Sequence, residues 1–199
     1  MKKLFLGVAL AAGSLAFAQQ FGIKGGLNVS SLSKDGFADV KSKAGFYAGA
    51  FVNVPISESF SIQPEVVYNN IGAKVTLLGT ENNLNLNYIS IPVMFQYNAT
   101  PQFYVEAGPE FSFLLNSKIK SSSALLETIA NSLNSNDFYN TFNFGLGVGA
   151  GFNITNNIGV NARYVAGFTD ATKGNSTISN LVLGNNKNNV FQVGLNYKF

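Results

Sequence analysis

From residue 21 onward the chain is dominated by stretches in which every second residue is apolar, and no charged residue falls on the apolar side of any of them. Period two belongs to a β-strand, whose side chains point alternately to opposite faces. Eight such stretches are found, at approximately 21–30, 44–56, 60–70, 88–98, 102–115, 141–154, 158–169 and 189–199. No apolar run beyond residue 20 is long enough for a transmembrane helix, which needs about 20 residues.

The sharpest case is the run FNFGLGVGAGFNI at 142–154, where Gly145, Gly147, Gly149 and Gly151 alternate with Leu146, Val148, Ala150 and Phe152. A phosphate-cradling G-x-G-x-x-G loop does not fit, because its third glycine would fall on Ala150 or Phe152 and no amphipathic helix follows.

The connections alternate in length. Ser57-Glu58-Ser59, Ala99-Thr100 and Thr155-Asn156-Asn157 are short, while 31–43, 71–87, 116–140 and 170–188 are longer and polar. In an up-and-down barrel every second connection lies at the same end, so one end carries turns and the other loops. Bacterial outer-membrane barrels have this asymmetry, with turns in the periplasm and loops outside. The pattern predicts an all-β fold: an eight-stranded antiparallel up-and-down transmembrane β-barrel.

Two closed barrels share such alternation and differ by inversion. A soluble, lipocalin-like barrel turns its apolar face inward, and a membrane barrel turns it to lipid. The polar face here carries glycine, Asn, Gln, Ser and Tyr, with the ions Lys24, Glu65, Glu106, Glu110, Arg163 and Lys198. Six charges, three of each sign, are few for a surface in water. They suit a narrow interior in which buried ions must pair. The alternating glycines fit the same interior, leaving room for inward Tyr47, Tyr88 and Tyr104. Charged residues make up 12% of the chain, about half the roughly 25% usual in soluble domains.

Aromatics fall into two groups in this topology. Phe21, Phe60, Tyr97, Phe103, Phe152, Tyr197 and Phe199 lie toward the turn end, and Phe46, Tyr68, Phe111, Phe113, Phe142, Phe168 and Phe191 toward the loop end. Two belts of this kind match the interfacial girdles of membrane barrels. Pro64, Pro92 and Pro109 interrupt the strands, and bulges or local kinks are expected there because proline removes a ladder hydrogen bond.

Lys2, Lys3, the apolar stretch Leu4–Ala12 and Ala16-Phe17-Ala18 match the regions of a secretory signal peptide. Residues 1–18 are therefore expected to be removed before Gln19, leaving residues 19–199 as the barrel domain with 11 basic and 10 acidic residues. That balance gives no support to nucleic-acid binding. Absence of cysteine excludes a disulfide framework, and absence of histidine removes the commonest general base and metal ligand. Glu65, Glu106 and Glu110 could form a carboxylate cluster for acid/base or metal chemistry, but Arg163, Lys24 and Lys198 on the same face favour structural ion pairing. No catalytic, metal or cofactor-binding residue is assigned, and no cofactor is expected. In the longest loop Leu126, Ile129, Ala130 and Leu133 recur at helical spacing behind a candidate N-cap, Ser123, predicting a short amphipathic helix within 123–134.

The ordered motifs QPE at 63–65, YISIPVMFQY at 88–97, EAGPEF at 106–111, ARYVAGFTD at 162–170 and the final GLNYKF resemble the small outer-membrane β-barrel domain common in Bacteroidetes, called PorT-like or porin-like. The resemblance covers essentially all of residues 19–199. It implies an eight-stranded barrel in the outer membrane and no single activity, although a few relatives look tied to protein secretion. The last strand, with Phe191, Val193, Leu195, Tyr197 and terminal Phe199, resembles the signal read by the barrel-assembly machinery. The partners implied are outer-membrane lipid, that machinery, and an extracellular or secretion-complex protein. Three roles remain open: a filled barrel binding through its loops, a narrow solute channel, or an accessory subunit of a secretion complex.

Overall fold

The computed structural model describes residues 19–32, 39–77, 80–121, 141–170 and 187–199. These form β1 (Gln20–Leu32), β2 (Asp39–Pro55), β3 (Phe60–Leu77), β4 (Thr80–Asn98), β5 (Phe103–Ser121), β6 (Phe142–Asn153), β7 (Ile158–Asp170) and β8 (Lys187–Lys198). Each pairs antiparallel with its neighbours in the chain, and β8 returns to β1 to close the barrel. Closure gives every strand two partners, as a wall immersed in hydrocarbon requires. The signal-peptide reading of residues 1–18 and the helix expected within 123–134 lie outside the described residues.

At the turn end the ladder closes tightly. Ile56 N donates to Phe60 O and Ile154 N to Ile158 O, both at 2.8 Å. Thr100 and Thr155 hydroxyls accept from Phe103 N and Ile158 N, satisfying the first amide of the returning strand.

The predicted faces are those observed. Leu27, Val66, Phe95, Val148, Phe168 and Leu195 are exposed on the outside, whereas Tyr47, Tyr88, Glu65 and Arg163 are enclosed. Phe60 packs at a tilt against Tyr97 at the turn end, and Phe46 meets Tyr68 while Phe111 and Phe113 meet Phe142 at the loop end. The alternating glycines of β6 face inward. A Cβ on Gly151 would run into the Tyr104 ring, and one on Gly147 would lie 3.3 Å from Met94 Cε.

Three features differ from the sequence expectation. First, the predicted loop 71–87 is mostly strand: β3 and β4 continue to the pair Leu77↔Thr80, with β2 and β5 beside them from Asp39 and to Ser121. At its described side chains the apolar residues point inward: Ile71 and Leu86, a directly opposed pair, are buried, whereas the alternate pair Asn70 and Asn87 are respectively part-exposed and covered. Second, the interior is not wholly polar, for Phe51, Val67, Met94, Val165 and Val190 are buried in it. Third, the prolines produce no bulge. Pairing lapses near Pro64, Pro92 and Pro109, yet the register on either side is unchanged. The register shifts instead between Ser42 and Tyr47, between Asn87 and Tyr88, and between Ala166 and Asp170. Each lies toward the loop end, where an extra residue no longer turns a polar group into hydrocarbon.

Two substitutions in β6 check the two faces. Val148→Arg is expected to destabilise the folded barrel by about 2–4 kcal/mol in phospholipid vesicles, the cost of a cation near the bilayer midplane. Gly151→Ala is expected to cost about 1–3 kcal/mol by overpacking against Tyr104, with partial recovery in Gly151→Ala/Tyr104→Ala. Urea titration of the reconstituted protein measures both, and an innocuous Val148→Arg would be incompatible with a lipid-facing outer wall.

Candidate functional site

Inward positions on four strands bring Lys24, Glu65, Glu106 and Arg163 together across the bore. β3 and β7 stand opposite each other in the ring, four strands apart in either direction. Arg163 of β7 reaches across to Glu65 of β3 with both terminal nitrogens, Nη1 to Oε2 at 2.9 Å and Nη2 to Oε1 at 2.7 Å. Its Nε donates to Glu106 Oε1 on β5 at 2.7 Å. The third donor group is Lys24 Nζ on β1, which lies 3.1 Å from each Glu65 oxygen. Two cations and two anions thus cancel at the centre of the barrel, and each side chain is at most 4% exposed. The planar guanidinium suits this position because its fork matches a carboxylate in bidentate fashion and leaves Nε for a second anion.

Neutral side chains complete the quartet. Gln63 Nε2 donates to Glu65 Oε1 at 2.8 Å, and Gln96 Nε2 to Glu106 Oε2 at 3.0 Å. Gln96 Oε1 in turn accepts from Asn53 Nδ2 at 2.7 Å, extending the network toward the turn end. There the lumen widens into a mouth of about 830 Å³ lined by Asn53, Ser61, Gln96 and Lys198. Toward the loop end the hydrogen bonds form a directed chain: Gln192 donates to Asn69, Asn69 to Ser90, and Ser112 to Glu110, with Ser90 and Ser112 hydroxyls 2.7 Å apart. A Ser90-to-Ser112 donation makes the chain continuous and terminates it on the carboxylate. Beside it lies a cavity of about 30 Å³. Tyr47 hydroxyl donates to Asn161 Oδ1 at 2.9 Å, linking β2 to β7 inside the lumen past β1 and β8.

Of the six ions expected in the lumen, four meet. Glu110 is buried one tier nearer the loops, four residues along β5 from Glu106. Lys198 sits at the turn-end mouth, half-exposed and paired in register with Gly22. The ion pairs Lys24–Glu65, Arg163–Glu65 and Arg163–Glu106 make up the quartet, and Glu110 and Lys198 take no part in it. Sequence reasoning did not single out Gln63, Gln96, Asn53, Asn69, Ser90, Ser112 and Gln192, although their inward parity was the available signal. Phe191, Val193, Leu195, Tyr197 and Phe199 all face outward on the closing strand, and Phe199 N donates to Phe21 O at 2.9 Å.

The quartet has a stability signature. Arg163→Ala leaves two buried carboxylates against one lysine and is expected to destabilise the barrel by about 3–5 kcal/mol. Lys24→Met is expected to cost less, because Arg163 still holds Glu65. Removing both ends of the cross-bore pair in Glu65→Gln/Arg163→Met keeps the remaining charges balanced and should cost less than Arg163→Ala alone. Denaturant titration of the four proteins in lipid vesicles ranks them.

Comparison with known proteins agrees with this geometry. Residues 17–173 match the family model described as outer membrane protein beta-barrel domain. Neisserial surface protein A is 14% identical, with 90% of this chain aligned to 97% of that one at a TM-score of 0.55. The outer membrane protein OprG from Pseudomonas aeruginosa is 16% identical, over 92% of this chain and 96% of that one, with a TM-score of 0.50. Ail, the attachment invasion locus protein of Yersinia pestis, aligns over 90% and 98% at 14% identity and a TM-score of 0.49. At such identities the likeness to Neisserial surface protein A and OprG is one of fold alone. No curated protein matches the chain in sequence. A closed eight-stranded barrel, apolar outside and ion-paired inside, with a family model matching most of its length, is a small outer-membrane barrel: the chain belongs to the outer membrane protein beta-barrel domain family.

Proposed function

We propose that this protein is non-enzymatic and acts as a binding or structural component through its extracellular end, with its lumen serving as a scaffold rather than a route. The observation that carries this reading is the Arg163–Glu65 bridge, which spans the bore from one wall to the other. An aqueous pathway would have to separate that pair and its two neighbours, and each separation leaves a buried charge without its partner. An eight-stranded barrel is already just wide enough for side chains to fill. The described interior offers Glu, Gln, Asn, Ser and Tyr engaged with one another, and no histidine or cysteine exists anywhere in the chain to supply a nucleophile–base pair.

The resemblance to PorT-like proteins of Bacteroidetes supports a second role, as an accessory subunit of a secretion complex. The outward aromatic alternation ending at Phe199 supports delivery of the chain by the barrel-assembly machinery.

Purified monomer in a planar bilayer is expected to show no steady, large aqueous conductance. Arg163→Ala, if it folds, should give flickering openings that the parent lacks. A stable open level in the parent protein would instead favour the narrow-channel reading, in which neutralising Arg163 or Glu106 alters solute uptake. Mild-detergent purification from its own membrane tests the accessory role, and recovery of a lone barrel in every preparation would remove it.

A further inference from the structure

The quartet at the centre of the lumen is neutral by itself, with two cations against two anions. Glu110, buried four residues nearer the loops on β5, adds a negative charge that the quartet does not offset. Lys43, on β2, is committed elsewhere: its Nζ donates to Asn70 Oδ1 at 3.2 Å and to Ile71 O at 3.4 Å. A carboxylate so enclosed is costly to keep ionised without a countercharge. Its hydrogen bonds are nevertheless those an ionised carboxylate takes. Asn69 Nδ2 donates to Ser90 Oγ at 2.9 Å, which leaves the Ser90 hydrogen for Ser112, 2.7 Å away. Ser112 in turn donates to Glu110 Oε1 at 3.2 Å. Both serine hydrogens thus run toward Glu110, and each hydroxyl oxygen keeps one lone pair.

Across the same tier stands an oxygen with no partner. Glu110 pairs with Gly145 of β6, and Gly145 with Gly167 of β7. A Cβ on Gly167 would lie 2.5 Å from the backbone oxygen of Asn188 on β8. Asn188 is 8% exposed, and its side-chain Oδ1 is buried without a hydrogen-bond partner. Two glycines therefore separate the carboxylate of β5 from the amide of β8. Both border the cavity of about 30 Å³ that Glu110, Asn188, Ser90 and Ser112 also line. Such a volume admits a single small guest, since a water needs about half of it.

We propose that this cavity binds one monovalent metal cation of sodium size, held between the Glu110 carboxylate and Asn188 Oδ1, with the serine hydroxyl oxygens beside it. A trapped water could donate to the Asn188 carbonyl, but it would leave the charge of Glu110 unbalanced. A cation answers both needs at once. The ligand set is all oxygen, which selects a hard ion over a transition metal. It contains one carboxylate, whereas calcium sites gather several, so a single positive charge suffices. Bound there, the ion makes the described lumen neutral at this tier and ties β5 to β8 across the two strands that carry the glycines. The proposal does not depend on the role of the extracellular end.

Urea unfolding of the protein in phosphatidylcholine vesicles, with sodium chloride exchanged for choline chloride at constant ionic strength, tests it. The parent protein is expected to gain stability with sodium, its folded-to-unfolded ratio growing about tenfold per tenfold rise in sodium once the site is mostly filled. Glu110→Gln should erase that dependence, and Asn188→Ala should shift it to higher sodium. Heat-modifiable gel mobility reports whether each variant is folded. Should Glu110→Gln fail to fold, Asn188→Ala carries the comparison, together with sodium NMR line broadening by vesicles of the parent protein. A parent indifferent to sodium, as a trapped water or a protonated Glu110 would leave it, overturns the assignment. So does an equal response to choline, an undiminished response in folded Glu110→Gln, or the same effect from calcium at far lower concentration.

Discussion

A bilayer offers no water to an unpaired peptide group, and that single constraint organises this molecule. It forces the ladder to close, so that β8 returns to β1 and no edge remains. Closure of eight strands fixes a narrow bore, and the bore sets what the inner face can hold. Glycine on one strand and tyrosine on its neighbour share the space, as with Gly151 and Tyr104. Charge is admitted only as a cancelling set. Lys24, Glu65, Glu106 and Arg163 are therefore a consequence of geometry as much as of electrostatics, because Arg163 can reach Glu65 only where opposite walls lie close together.

The quartet also marks a division of the interior. On the turn side the network of Asn53, Gln63 and Gln96 opens into a wide polar mouth. On the loop side the amides and hydroxyls leading to Glu110 are interleaved with Val165, Val190 and Ile71, and the space left is small. A solute entering from the periplasm would meet fixed charges, and one entering from outside would meet a packed core. Both approaches end at the same four side chains.

Much of this was legible in the sequence because the lipid environment writes a simple rule. Where one side of the wall is hydrocarbon, a charge on that side is costly, and the alternation of Leu146, Val148 and Ala150 with glycine is unambiguous. Legibility ended where the rule reversed. Ile71 and Leu86 face inward with asparagine beside them, so the polar composition of 71–87 reads as a loop. The prolines introduce no bulge for a related reason, since a missing donor need not displace a partner when neighbouring pairs hold the register at Phe51↔Glu65 and Val54↔Ile62. Partner choice within the lumen was not legible at all. Parity names the inward residues, yet only the stagger of the strands determines that Arg163 meets Glu65 rather than Glu110.

The ladders between β2 and β5 run well past the aromatic belt, to Asp39↔Thr76, Leu77↔Thr80 and Asn82↔Ser121. Peptide pairing there continues beyond the depth at which hydrocarbon demands it, so on that side a lateral neighbour would meet a collar of backbone as well as a greasy wall.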